Sequence, residues 1–254
     1  MNFIQIEEVP FVKGKSIGEA YLNALDLLIN KKLSYPYLVI HVFQPIIDVS
    51  IECLPRSLNV DDWDQIVNLG EVYEVFSKYD FSKSCKSGGS LGKDWINDRI
   101  RALLHPEGGY YKRLEKFRQL ERVIERLKVR DKRGNRMHGG STNALICQVF
   151  CPDEDLIKAC MPRPRASDLS CLTELDFKPK KDRLNLFSVF RSQYFDTKAY
   201  GNLISLAILL CKVCQKTGYK PGTLTSTANN ITFDVKRKKK DKIEFFEHLS
   251  LCTN

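Results

Sequence analysis

Two residues in the C-terminal half of the chain could do chemistry together: Cys171 and Arg191. The runs Ser170–Phe177 and Arg183–Ser192 carry apolar residues at alternate positions and are separated by Pro179-Lys180-Lys181-Asp182, the pattern of an antiparallel hairpin. Pairing Phe177 with Leu184 sets Cys171 opposite Phe190; a slip of one residue sets it opposite Arg191, and the sequence leaves both registers open. In either register a thiol lies near a permanent cation, which favours the thiolate, the nucleophilic form.

The rest of the chain must position that pair. The helix from Leu203 to Gln215 is apolar on nearly every side, so it is expected at the centre, with Gly218 as its C-cap. Cys211-Lys-Val-Cys214 lies well inside that helix with no second cysteine pair, which points to core packing rather than redox or zinc chemistry. Residues 1 to 15 read as a short strand and turn. A helix follows, with Ser16 as N-cap, Glu19 three residues on, and Ile17, Ala20, Tyr21, Ala24, Leu27 and Leu28 on one face.

Tyr37–Phe43 reads as a buried strand in which His41 is a satisfied core residue, since no second ligand lies at metal spacing. Residues 48–92 are broken and polar, and the glycines of Ser87–Gly92 lack the context of a phosphate loop. Two helices are expected between Asp94 and Val129, the second carrying Leu114, Phe117, Leu120, Val123, Ile124 and Leu127. Asn143–Phe150 reads as a strand and Pro152-Asp-Glu-Asp as a turn. The sum is one α+β domain over residues 1–254, with a mixed sheet packed on a central apolar helix.

Composition narrows the function classes. With 254 residues, 43% of them apolar, the chain can bury a large core. No run is expected to be long and apolar enough to cross a bilayer, and Met1–Glu8 lacks the form of a secretion signal, so a cytoplasmic location with no membrane partner is expected. Nine cysteines at irregular positions fit free thiols better than a disulfide framework. The net charge of +9 is concentrated in part in Lys236–Lys240, a solvated run without an aromatic-interleaved groove. Nucleic-acid binding is therefore not expected, whereas attraction to nucleotide phosphates is.

The C-terminal half resembles the nucleotide half of thymidylate synthases and the related pyrimidine hydroxymethylases. That resemblance rests on Cys171 six residues before Phe177, Arg191-Ser192 twenty residues after the cysteine, Asn202 eleven residues further on, the apolar helix, and Gly218-x-x-x-Gly222. Val12–Tyr21 is similar to the opening segment of the shorter, archaeal-type members, and Tyr110, Arg113 and Leu114 match a Tyr-Gly-x-Arg-Leu segment in which Tyr111 replaces the glycine.

The resemblance implies a homodimer with sheets back to back and a pyrimidine nucleoside monophosphate as substrate. Cys171 would add to C6 so that C5 becomes a carbon nucleophile, for methylation or hydroxymethylation by 5,10-methylenetetrahydrofolate. Arg191 and Ser192 would hold the phosphate, with Arg136 as the best match to the partner-subunit arginines. Asn202 would read the base, its amide suiting a uracil edge. Thr232 and Asp234 stand where the family's sugar-binding His and Tyr would be. The acid that follows Arg-Ser by two residues and holds the pterin is displaced to Asp196, and Ser170 replaces a proline. Those departures leave a second expectation: a relative without folate chemistry that binds a nucleotide or runs another thiolate-driven C5 reaction.

Overall fold

The structure, a computed structural model, describes residues 9–30, 37–45, 92–129, 142–163 and 169–233. Arg136, Asp234, the run Lys236–Lys240 and nearly all of the stretch expected to be irregular lie outside the described residues. The architecture is mixed α+β. In chain order the strands are β1 (Phe11–Gly14), β2 (Leu38–Val42), β3 (Ile146–Gln148), β4 (Leu172–Lys180), β5 (Arg183–Phe190), β6 (Gln193–Tyr194), β7 (Lys220–Ala228) and β8 (Ile231–Thr232). The helices are α1 (Ile17–Asn30), α2 (Gly92–Leu104), α3 (Gly109–Glu115), α4 (Gln119–Lys128), α5 (Pro152–Ala159) and α6 (Tyr200–Thr217).

Six strands form a mixed sheet in the order β1-β2-β7-β5-β4-β3, and β6 pairs with β8 in a separate parallel ribbon. β5 and β7 are parallel neighbours, so the chain must cross over between them, and α6 makes that crossover. Period-two alternation sorts the strand residues. Leu38, Ile40, Leu224, Leu186, Phe190, Leu175 and Phe177 are buried on one face with α6. Ser188 and Ser226, paired across β5 and β7 on that same face, are small. The other face, through Val39, His41, Thr225, Thr227, Phe187 and Val189, is only half-buried.

α6 is buried from Tyr200 to Cys211, as its unbroken apolar sequence demands, and packs on α2 as well as on the sheet. It ends at Gly218, whose φ of 74° only glycine adopts without strain and whose N–H returns to the Cys214 carbonyl at 2.8 Å. One expectation needs correcting here. Phe195–Thr217 is long and apolar enough to cross a membrane by length and composition, with a mean hydropathy of 1.2, yet 89% of that window is buried inside the protein. A helix covered on all sides by its own fold passes the same compositional test as a membrane span.

At α1, Ser16 Oγ accepts the Glu19 N–H at 3.1 Å, and the Glu19 carboxylate takes the Lys15 N–H at 2.8 Å. Leu25 adds to its buried face, and Leu27 packs half-buried against the same core. The second expected helix between Asp94 and Val129 is in fact two, α3 and α4, broken where Phe117 and Arg118 adopt φ of 68° and 52°. Phe117 is 70% exposed. Gln119 explains the break: its amide donates to the Arg113 and Gln148 carbonyls and accepts the Gln148 N–H, so the chain bends to satisfy the β3 edge. Pro152-Asp-Glu-Asp likewise opens a helix, α5, because proline suits the first helical position and acids suit the first turn.

Candidate active site

The hairpin register decides where Cys171 sits. Phe177 pairs with Leu186, two residues from the first of the two registers considered, and the loop tightens to Lys181-Asp182, leaving Pro179 and Lys180 in β4. A bulge between Leu172 and Glu174 then shifts the pairing by one, so that Leu172 faces Phe190. Cys171 consequently lies beside Arg191, whose N–H donates to the Cys171 carbonyl at 2.7 Å. A bulge re-aims the side chains beyond it, and here it brings thiol and guanidinium to the same end of the sheet.

Both line a cavity of about 400 Å³ formed by the segment that leads into β4, the segment that follows β5, and residues of α2 and α3. Ser192, Ser170, Tyr110 and Tyr194 also line it, with Arg99, Arg113 and Lys198. Four cationic side chains thus face one space, and among the described residues no carboxylate lines it. The Arg191 guanidinium reaches the Ser170 and Leu169 carbonyls at 3.5 Å, in the segment before β4 that carries the thiol.

Arg113 is held from behind. Its guanidinium donates to both oxygens of Asp155, at 3.0 Å to Oδ1, and to the Val149 carbonyl at 2.9 Å. Asp155 is fully buried at the start of α5 and also accepts the Cys151 N–H at 2.8 Å. Burial alone would raise its pKa, but the Arg113 hydrogen bonds and the backbone donors outweigh it and hold the carboxyl below its ordinary value. Arg99 packs over Gly201, where an added Cβ would come within 3.0 Å of the arginine stem. Lys198 Nζ stands 5.0 Å from the Tyr194 ring centroid. The Tyr110 hydroxyl is pushed toward higher pKa by burial and by Cys171, against a hydrogen bond with the Leu172 backbone. It is therefore a neutral donor near the sulfur at ordinary pH.

Of the residues singled out in the sequence, Cys171, Arg191 and Ser192 are brought together here. Asn202 is not: it is 5% exposed in the first turn of α6 and does not line the cavity. The helix begins at Tyr200, ahead of the position expected from its apolar run, which carries Asn202 into the packed interior. Thr232 sits in β8 opposite Tyr194, adjacent to the cavity but outside its lining. Asp196 is buried in the π-helical turn Phe195–Ala199, beneath Tyr21, and does not line the cavity either.

Arg99, Arg113, Asp155 and Lys198 escaped the sequence reading as site residues. Only Arg113 carried a signal, the Tyr-x-x-Arg-Leu segment. Asp155 was hidden in what reads as a turn, and Arg99 and Lys198 look like solvent-facing helix charges. Among the described residues no group of three or more His, Cys, Asp or Glu is placed to hold a metal ion. No protein-family model matches the chain, and no curated protein matches it.

Proposed function

We propose that the protein is a pyrimidine-nucleotide C5-modifying enzyme of the methyl- or hydroxymethyltransferase type, with Cys171 as the nucleophile that adds to C6. The observation that carries the reading is the convergence of Cys171, Arg191 and Ser192 on one basic cavity. A cavity of this volume suits a nucleoside monophosphate, and its surplus of guanidinium groups, with no acid among the described lining residues, suits a phosphate dianion.

In this reading the Cys171 thiolate forms a carbon–sulfur bond at C6, and the electrons of the C5–C6 double bond move to C5 and the O4 enolate. C5 can then exchange its hydrogen with solvent or attack an electrophile, and elimination of the sulfur restores the ring. Arg191, Ser192 and Arg99 hold the phosphate, with Arg113 fixed by Asp155. Tyr110 stays protonated and donates toward the forming enolate or the sulfur. Among the described residues, no acid that could hold the pterin of 5,10-methylenetetrahydrofolate lines the cavity, and Asp196 is packed away from it.

That same observation favours a second reading, a thiolate-driven C5 exchange or nucleotide binding without folate. The test is tritium release from UMP, dUMP, CMP and dCMP labelled at C5. Release from one of them without any folate supports C6 attack, and release from none contradicts it. A homodimer belongs to the same proposal. The half-buried sheet face bearing Val39, Phe187, Val189 and Thr225 would be covered by a second copy, and a monomer by sedimentation at micromolar concentration would overturn that part.

A further inference from the structure

A second cavity of about 410 Å³ lies on the far side of α2 and α3 from the first. Neighbouring residues divide between the two spaces: Ala102 and Tyr110 face the first, Leu103 and Tyr111 the second. Part of its wall is aliphatic, made by the buried Leu103, Leu104, Ile124, Leu209 and Val213, and the rest is polar, with His105, Tyr111, Glu115 and Glu121. Two ammonium groups border it, Lys212 and Lys216, one turn apart on α6. Neither has an ion-pair partner among the described residues. Glu121, on the rim, takes the Arg118 guanidinium, and Glu115 hydrogen-bonds Tyr111, which lines the same cavity.

We propose that this second cavity is a binding site for a monocarboxylate with an apolar body, its carboxylate held by Lys212 and Lys216 and its body against the leucine and valine wall. A half-buried cation without an ion-pair contact is costly, and a carboxylate removes that cost while an apolar chain lies against the aliphatic part of the wall. Burial and the neighbouring Lys216 both push the Lys212 ammonium below the ordinary lysine pKa, the strain that an incoming anion relieves. The rim glutamates select against a doubly charged head group, since each added negative charge meets them as well as the lysines. A cavity of this volume, with aliphatic and polar side chains sharing its lining, is a normal size for a small-ligand site.

The probe is decanoate, with decanamide as its uncharged match, titrated calorimetrically into the full chain below the micellar range. Saturable one-to-one binding of decanoate, at least about tenfold tighter than decanamide, supports the site. Lys212→Met, which keeps the apolar stem, is expected to lower decanoate affinity about tenfold while leaving the circular dichroism spectrum and decanamide binding unchanged. Protection of Lys212 and Lys216 from amine acylation by decanoate, read by peptide mass spectrometry on the wild-type protein, gives the same answer without a variant. Equal binding of the acid and the amide, undiminished decanoate binding by Lys212→Met, or acylation of both lysines unaffected by decanoate would each overturn the proposal.

Discussion

The two cavities are nearly equal in volume and share one wall, yet their chemistry is opposite. The first is ringed by Arg99, Arg113, Arg191 and Lys198 around a thiol and hydroxyls; the second sets two lysines against aliphatic side chains. Guanidinium forks give directional, paired hydrogen bonds to a polar anion, whereas an ammonium at the edge of an apolar wall is a point charge that orients an amphipathic one. The contrast teaches that α2 and α3 are a partition. Each presents alternate residues to two different solvents, and the fold invests in fixing that partition through the buried Arg113–Asp155 pair.

The strongest way to break this contrast is at the sulfur. Cys171→Ser is expected to abolish C5 tritium release, a loss of at least about 10³-fold, because removing a covalent nucleophile removes the whole route. Decanoate binding on the far side should not change, and a coupled loss would mean the cavities are not independent.

Asp155→Asn tests the partition itself. Breaking a buried ion pair by removing one partner costs about 3–5 kcal/mol, read as a lower urea midpoint, and this variant should weaken both sites together. The pH dependence carries a defined sign. Asp155 has its folded pKa below its ordinary value of 3.8, so its contribution is full above that value and is lost as pH falls through the lower folded pKa. The wild type should therefore show an acid-side loss of stability that Asp155→Asn lacks.

Arg191→Gln sharpens the comparison from the ligand's side. Losing a charged fork to phosphate should cost about 1.5–3 kcal/mol, so nucleotide affinity drops about 10- to 150-fold while affinity for the parent nucleoside barely moves. The smallest effect concerns reactivity among thiols. Cys147 and Cys211 are buried, and burial pushes both thiols up to about 12, so neither should alkylate in the native protein at neutral pH. Half-buried Cys171 and exposed Cys160 should both alkylate, and saturating nucleotide should protect Cys171 alone.

Much of the frame was legible in the chain because it rests on periodicity. The apolar run after Asn202 forced a central helix, alternation forced the β4–β5 hairpin, and Ser16 with Glu19 opened α1. The hairpin's detail was not legible. A tighter loop moved the register by two residues and a bulge moved it back by one, and neither leaves a trace in the hydrophobic pattern. The burial of Asn202 was not legible, because it depends on where α6 begins, one turn earlier than the apolar pattern suggests. Arg99, Lys198 and Asp155 could not be recognised, since a charge that enters a cavity through tertiary packing looks in sequence like any charge on a solvated helix.

The central claim is that Cys171 attacks the ring of a nucleotide held by the arginine cavity. The most direct measurement is intact-protein and peptide mass spectrometry after incubation with 5-fluoro-dUMP, with and without methylenetetrahydrofolate, followed by denaturation. The account predicts a nucleotide-sized mass increase located on the peptide that contains Cys171 and missing from Cys171→Ser. An unmodified protein under both conditions, or an adduct on any other residue, would contradict it.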